Sequence, residues 1–228
     1  SNIAIFNPKL CTMYDLHLAT IAIIAANILV SIRGFNDQVF FERYKFSIGG
    51  IRAGQKERAV TSGFLHVDFS HLLFNMFTLF FFADVVITWF GPIRFLIVYV
   101  ISLLSGSLLA LFFHKDEPFY SAVGASGAVT GILYCAILLQ PDMRLAIMFI
   151  PIPLPAYILG IGYLLYSIYG MRSRVGNIGH SAHFGGAIGG YLITILFRPS
   201  LLFTDTIILI LLAVPIVLLF VLERAGKI

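Results

Sequence analysis

Seven apolar stretches, at residues 16–32, 72–90, 95–113, 124–139, 145–169, 181–197 and 206–222, dominate this 228-residue chain. A helix needs roughly 20 apolar residues to cross a hydrocarbon core of about 30 Å. Each stretch meets or approaches that length, so the sequence predicts an all-α polytopic membrane protein. Within a bilayer every backbone N–H and C=O must be bonded inside the chain, and helices satisfy this segment by segment. Composition agrees, with 59% hydrophobic and 11% charged residues, against roughly 25% charged in soluble domains. The formal net charge of +4 raises nucleic acid as a partner. Lys and Arg are scattered between apolar runs, however, with no basic stripe interleaved with aromatics to follow a phosphate backbone. The expected partner is the lipid bilayer, not nucleic acid, and the charges belong at its interfaces.

The stretch at 124–139 is short, which predicts that it begins below the membrane surface, fed by a buried loop. Such a loop is tolerated only inside protein or beside a water-filled cavity. Gly127 and Gly131 give this fourth span a face of small residues, and Ala182, Gly186 and Gly190 give the sixth another. Such faces let helix backbones approach closely in lipid. The longest connection, 33–70, mixes Phe40, Phe41, Tyr44 and Phe46 with Arg43, Lys45, Arg52 and Lys56. That mixture suits an interfacial segment, although an ordinary ordered loop has the same composition. Cys11 and Cys135 define neither a disulfide framework nor a zinc site. The opening residues 1–14 lack the apolar core of a cleavable signal peptide.

Polar side chains inside spans are costly and therefore candidate functional groups. His71 and Asn75 open the second span, Ser126 the fourth and His183 the sixth. Each crossing reverses direction, so even-numbered spans start on one membrane side and these four residues lie at similar depth. His71 and Asn75, four apart, share one helix face. A hydroxyl brought beside an imidazole is the arrangement of a serine nucleophile and its base. Each residue also has a plainer reading. Serine in a helix commonly bonds the carbonyl four residues back, and intramembrane His or Asn can simply hold helices together. His66 and His180 are expected in loops near the interface, and Asp84 either pairs with a base or lines the interior. His66, His71, His180 and His183 raise a zinc site. The chain has no His-Glu-x-x-His segment, and no carboxylate stands where a base is needed, so no metal is expected.

Gly124-Ala125-Ser126-Gly127 resembles the Gly-x-Ser-Gly motif of the rhomboid family of intramembrane serine proteases. Ala182-His183-Phe184-Gly185-Gly186, followed by Gly190, is similar to that family's Ala-His-x-x-Gly-x-x-x-Gly helix. His66, then His71 to Asn75, resembles its second-helix pattern, and Arg58 stands where the family has the Arg of a Trp-Arg pair. The resemblance covers 58–197, with three motifs in the family's order. Two positions depart from it. Glu57 replaces the usual Trp, and Thr130 stands where some members set an aromatic ring against the catalytic His. The residue that orients His183 is therefore not given by the resemblance.

The resemblance implies a six-helix rhomboid-like bundle with one additional C-terminal transmembrane helix. The expected division is an N-terminal segment 1–15, a catalytic core 16–197, and a linker with the seventh helix at 198–228. It further implies a Ser126–His183 dyad, oxyanion stabilisation by His71, Asn75 and the serine's own N–H, transmembrane protein substrates and no cofactor. The alternative within the same fold is a non-catalytic pseudoprotease that binds membrane clients. A transporter would account for polar residues in spans but not for the glycine-flanked serine. The resemblance places the protein in a bacterial cell membrane with the site facing the extracytoplasmic side. In that orientation only Lys9, Arg94, Arg144 and Arg198 lie inside, the reverse of the usual positive-inside tendency.

Overall fold

A computed structural model describes residues 17–147, 150–173 and 179–228, with side chains set aside at 146–152. The expected N-terminal segment 1–15 lies outside the described residues. The molecule is a helical membrane bundle, and its first helix already shows why. In α1 (Leu18–Asn36), Thr20, Asn27, Ser31 and Gly34 are buried, while Ile21, Ile28, Leu29 and Ile32 face outward. This inverts the pattern of a soluble helix. Small and polar side chains are sorted inward, where Asn27 Nδ2 donates to Tyr99 OH at 3.3 Å, and large apolar ones outward to lipid. By length and composition α1, α5 (Phe69–Phe113) and α10 (Thr206–Arg224) are each apolar enough to cross a membrane.

The second and third spans are two helical arms of α5, separated by a break at Gly91, whose φ of 75° is outside the helical region, with Pro92 following. Glycine tolerates that backbone and proline cannot continue the preceding hydrogen-bond ladder. The two arms, 69–90 and 92–113, fold back on each other. His71 of the first arm lies beside Gly124, and Gly106 of the second lies beside Ala182. At the opposite end, Arg94 stacks over Phe197, and Arg198 over Trp89 at 4.2 Å.

The connection 33–70 is ordered. It contains α2 (Gln38–Tyr44), β1 (Phe46–Ser47), α3 (Ile48–Arg52), α4 (Arg58–Thr61) and a 3-10 turn at Ser62–Phe64. Arg58, buried, gathers it: one guanidinium nitrogen donates to Glu42 O and Lys45 O, each at 2.8 Å, and Nε donates to Gln55 Oε1. Glu57, in place of the family's Trp, forms an ion pair with Arg43 at 2.8 Å. Its carboxyl is held below the usual range, first by its own backbone N–H and then by Arg43. β1 pairs with β2 (Ser121–Ala122) through Phe46↔Ala122 and Ser47↔Ser121, tying this connection to the loop that leads into α6 (Ser126–Leu139).

At 14 residues α6 spans only about 21 Å. Nearly all of it is buried at the centre of the bundle. The expected fifth span, 145–169, is corrected by the structure. Its first part is an antiparallel hairpin of β3 (Arg144–Ile147) and β4 (Ile150–Pro155), and helix α7 begins only at Ala156 and runs to Ser173. Pro151, Pro153 and Pro155 remove every second amide donor, which forbids a helix there. α8 (His180–Phe197) packs most closely on α5 and α6, and α10 leans on α7 after the short α9 (Leu201–Thr204). Tyr191 OH of α8 donates to Leu209 O of α10 at 3.1 Å. Asp84 neither lines the interior nor pairs with a base among the described residues: it is exposed on the outer face of α5.

Candidate active site

Gly124 adopts φ +127°, a conformation closed to side-chain-bearing residues, and a Cβ there would stand 2.7 Å from His71 Cε1. The glycine thus turns the loop while letting the His71 ring lie against it. The Gly124 N–H donates to Ser62 O at 3.0 Å. The next amide, of Ala125, is directed at His66 Nε2 at 3.4 Å. The other nitrogen of His66 lies 2.9 Å from Ser31 Oγ, and that hydroxyl gives its single proton to Phe64 O at 3.0 Å. His66 must then donate from Nδ1 and accept at Nε2. His66 lies in a loop as expected, between the 3-10 turn and α5, but not on its outer side. It is fully buried and links α1 to the turn before Ser126. His180 is likewise buried, as the first residue of α8, with its ring centroid 5.9 Å from that of His183 in an edge-to-face arrangement.

The small-residue faces bring α6 and α8 together. A Cβ at Gly131 would stand 2.7 Å from Gly186 O, one at Gly127 3.1 Å from Ala182 O, and one at Gly186 would run into Gly127 O. This close approach sets His183, on the first turn of α8, against Ser126, the first residue of α6: Nε2 and Oγ are 2.8 Å apart. His183 is only 4% exposed. Its other nitrogen, Nδ1, is 2.9 Å from Tyr163 OH of α7, and the two rings stack with centroids 5.2 Å apart and an interplanar angle of 28°. An aromatic ring therefore does lie on this imidazole, supplied by α7 instead of the position of Thr130. Thr130 Oγ1 donates to Ser126 O at 2.6 Å. Tyr163 was not legible as a site residue, because it is one of several tyrosines in an apolar run with no spacing that singles it out.

His71 reaches the same place. The position of a Gly124 Cβ is 2.8 Å from His71 Nε2 and 3.7 Å from Ser126 Oγ. His71 Nδ1 is buried without a hydrogen-bond partner, so the ring is not committed elsewhere. Asn75 is one turn further along the helix and buried, with Nδ2 donating to His71 O at 2.9 Å. An amide nitrogen carries two protons, so one remains for another acceptor. Beside Ser126 lies a cavity of about 30 Å³ bordered by Ser62, Gly63, Gly106, Gly124, Gly127 and Ala182. That is the scale of a water molecule or two.

A polytopic helical membrane protein that sets a hydrogen-bonded serine–histidine pair at the start of a short central helix belongs to a narrow class. The rhomboid domain profile matches residues 53–200, well over half of the chain, and the chain belongs to the rhomboid family. It is 33% identical over 177 residues to RHOMBOID-like protein 12, mitochondrial, of Arabidopsis thaliana, a match covering 71% of this chain and 52% of that protein. With Rhomboid protein 1, mitochondrial, of Saccharomyces cerevisiae it shares 31% over 136 residues, 58% of this chain and 39% of the relative. With Rhomboid protease GluP of Bacillus subtilis it shares 31% over 143 residues, 62% and 26% respectively. The chain spans about half or less of the length of these relatives. They include mitochondrial as well as bacterial proteins, so the similarity does not favour a bacterial cell membrane.

Proposed function

We propose that this protein is an intramembrane serine endopeptidase that cuts transmembrane segments of other membrane proteins, with 16–197 as the catalytic core and α10 as an addition to it. The observation that carries this reading is the 2.8 Å contact between Ser126 Oγ and His183 Nε2 at the start of α6. His183 takes the proton of Ser126 as Oγ attacks a peptide carbonyl, then returns it to the departing amine. The acyl-enzyme is hydrolysed by water, for which the cavity beside Ser126 has room.

The tetrahedral oxyanion needs donors placed in advance. His71 Nε2, the second proton of the Asn75 amide and the backbone N–H of Ser126 fill that role, helped by the partial positive charge at the N-terminus of α6. No metal or cofactor takes part. Substrates enter from the bilayer as partly unwound helices, since a peptide bond locked in a helix offers no carbonyl to attack.

A fluorophosphonate probe tests the pair directly, because a base-activated serine is nucleophilic and an ordinary helix serine is not. The probe labels the folded protein at Ser126, and labelling is lost in Ser126→Ala and persists in EDTA. Labelling mapped to another residue, or retained in Ser126→Ala, contradicts the reading.

A further inference from the structure

Asp84 is the only acidic residue in the interior of a described spanning helix. It precedes Trp89 by five residues, and so lies about 7–8 Å deeper in the bilayer at the helical rise of about 1.5 Å per residue. Trp89, with Arg198 over its ring, marks the interface at that end. Carboxylates inside a membrane are costly and almost always face the bundle interior or a water-filled cavity. Asp84 faces outward instead, with no ion pair or hydrogen bond among the described residues. Phe74, Phe77, Phe81 and Thr88 are exposed with it, three and four residues apart, so one stripe runs along the first arm of α5. Its apolar members are at home against lipid tails; the carboxylate is not. Charge complementarity therefore asks for a cation on a helix laid along this stripe. The described spans carry Lys, Arg and His only in their end turns, so a second copy of this chain does not bring one at that depth.

We propose that the stripe is where the transmembrane helix of a substrate lies while its unwound end occupies the site, and that Asp84 selects substrates carrying a Lys or Arg at the matching depth. The stripe begins at Phe74, beside Asn75 on the arm that also carries His71, so a helix lying on it ends at Ser126 and His183. Asp84 follows His71 by 13 residues, which is about 20 Å along the arm. The cation therefore belongs about 13 helical residues from the cleaved bond, on the side that runs toward the hairpin end. There the pair forms away from bulk water, where neither charge is content alone. That the docked helix is a substrate rests on the protease reading; that it bears a cation rests on Asp84.

The test uses two membrane-spanning reporters that differ only in carrying Lys or Leu at that position. Their binding to Ser126→Ala protein, which does not cut them, is followed in liposomes by fluorescence energy transfer. The Lys reporter is expected to bind about three- to tenfold more tightly than the Leu reporter, the usual worth of one polar contact between helices in lipid. In the wild type the same preference is expected in KM, with kcat alike for the two. Adding Asp84→Asn is expected to abolish the preference, and Asp84→Lys to shift it to a reporter with Glu at that position. A stripe that serves only as a lipid-facing surface would show neither the preference nor its reversal. Equal binding of the Lys and Leu reporters by protein that retains Asp84 overturns the proposal even if every Asp84 variant misfolds. So does a preference that persists in folded Asp84→Asn. Preferential binding of the Lys reporter beside a wild type that cleaves neither would sink the protease reading and leave the docking surface standing.

Discussion

Ser126 and His183 stand 57 residues apart in sequence and meet because each opens an even-numbered span. That much was legible from the apolar stretches and alternating direction, and His71 and Asn75 followed by the same logic. Two kinds of contact escaped it. Tyr163 is brought in by packing of α7, which leaves no periodic trace among apolar and aromatic residues. His66 is the loop residue the sequence suggests, but its burial and the Ser31 hydroxyl and Ala125 amide on its two nitrogens left no mark in the sequence. At this scale Asn75 is the informative substitution. If its amide stabilises charge present only in the transition state, Asn75→Ala lowers kcat by about 10²–10³ with KM nearly unchanged. If the amide merely supports its own helix through His71 O, the variant melts at a lower temperature and keeps its kcat. A melting curve beside a kcat measurement distinguishes the two, and the account expects the kcat loss.

Among the elements, α6 and α8 depend on each other's glycines, and the sequence carried that information in its small-residue spacing. In the structure the Gly186 Cα faces Gly127 O with no room for even a methyl group. Gly186→Ala is therefore expected to push the helices apart at a cost of about 1–3 kcal/mol, the usual range for overpacking. It should lower the Tm and the fluorophosphonate labelling rate together. A variant with wild-type Tm and labelling would show that the seam tolerates separation and does not set the Ser126–His183 distance. The hairpin at 144–155 was not legible from hydropathy, because an apolar run counts the same in a strand as in a helix. The alternating prolines of Ile150–Pro155 held the missing signal. The break between the arms of α5 was marked in the sequence by Gly91-Pro92.

For the molecule as a whole, the bundle turns one end toward the site and the other toward the hairpin. Lys115 follows the second arm of α5 at the site end, Arg144 begins the hairpin beyond α6, and both are exposed. With Cys11 and Cys135 replaced, single cysteines at these two positions should react differently with an impermeant thiol reagent when the protein is expressed in bacterial cells. Lys115→Cys is expected to be labelled from outside and Arg144→Cys protected. The reverse pattern would invert the orientation while leaving both at opposite ends, and equal labelling would contradict the arrangement of spans itself. The helical membrane class and the family were legible from sequence; the side the site faces was not, because charge count and resemblance point opposite ways.

The most direct test of the central claim is cleavage of a membrane-spanning reporter co-reconstituted with the protein in liposomes. The account predicts that the wild type cuts the reporter within its transmembrane segment, and that Ser126→Ala and His183→Ala, folded as judged by their melting curves, do not. Cleavage that persists in folded Ser126→Ala would contradict it.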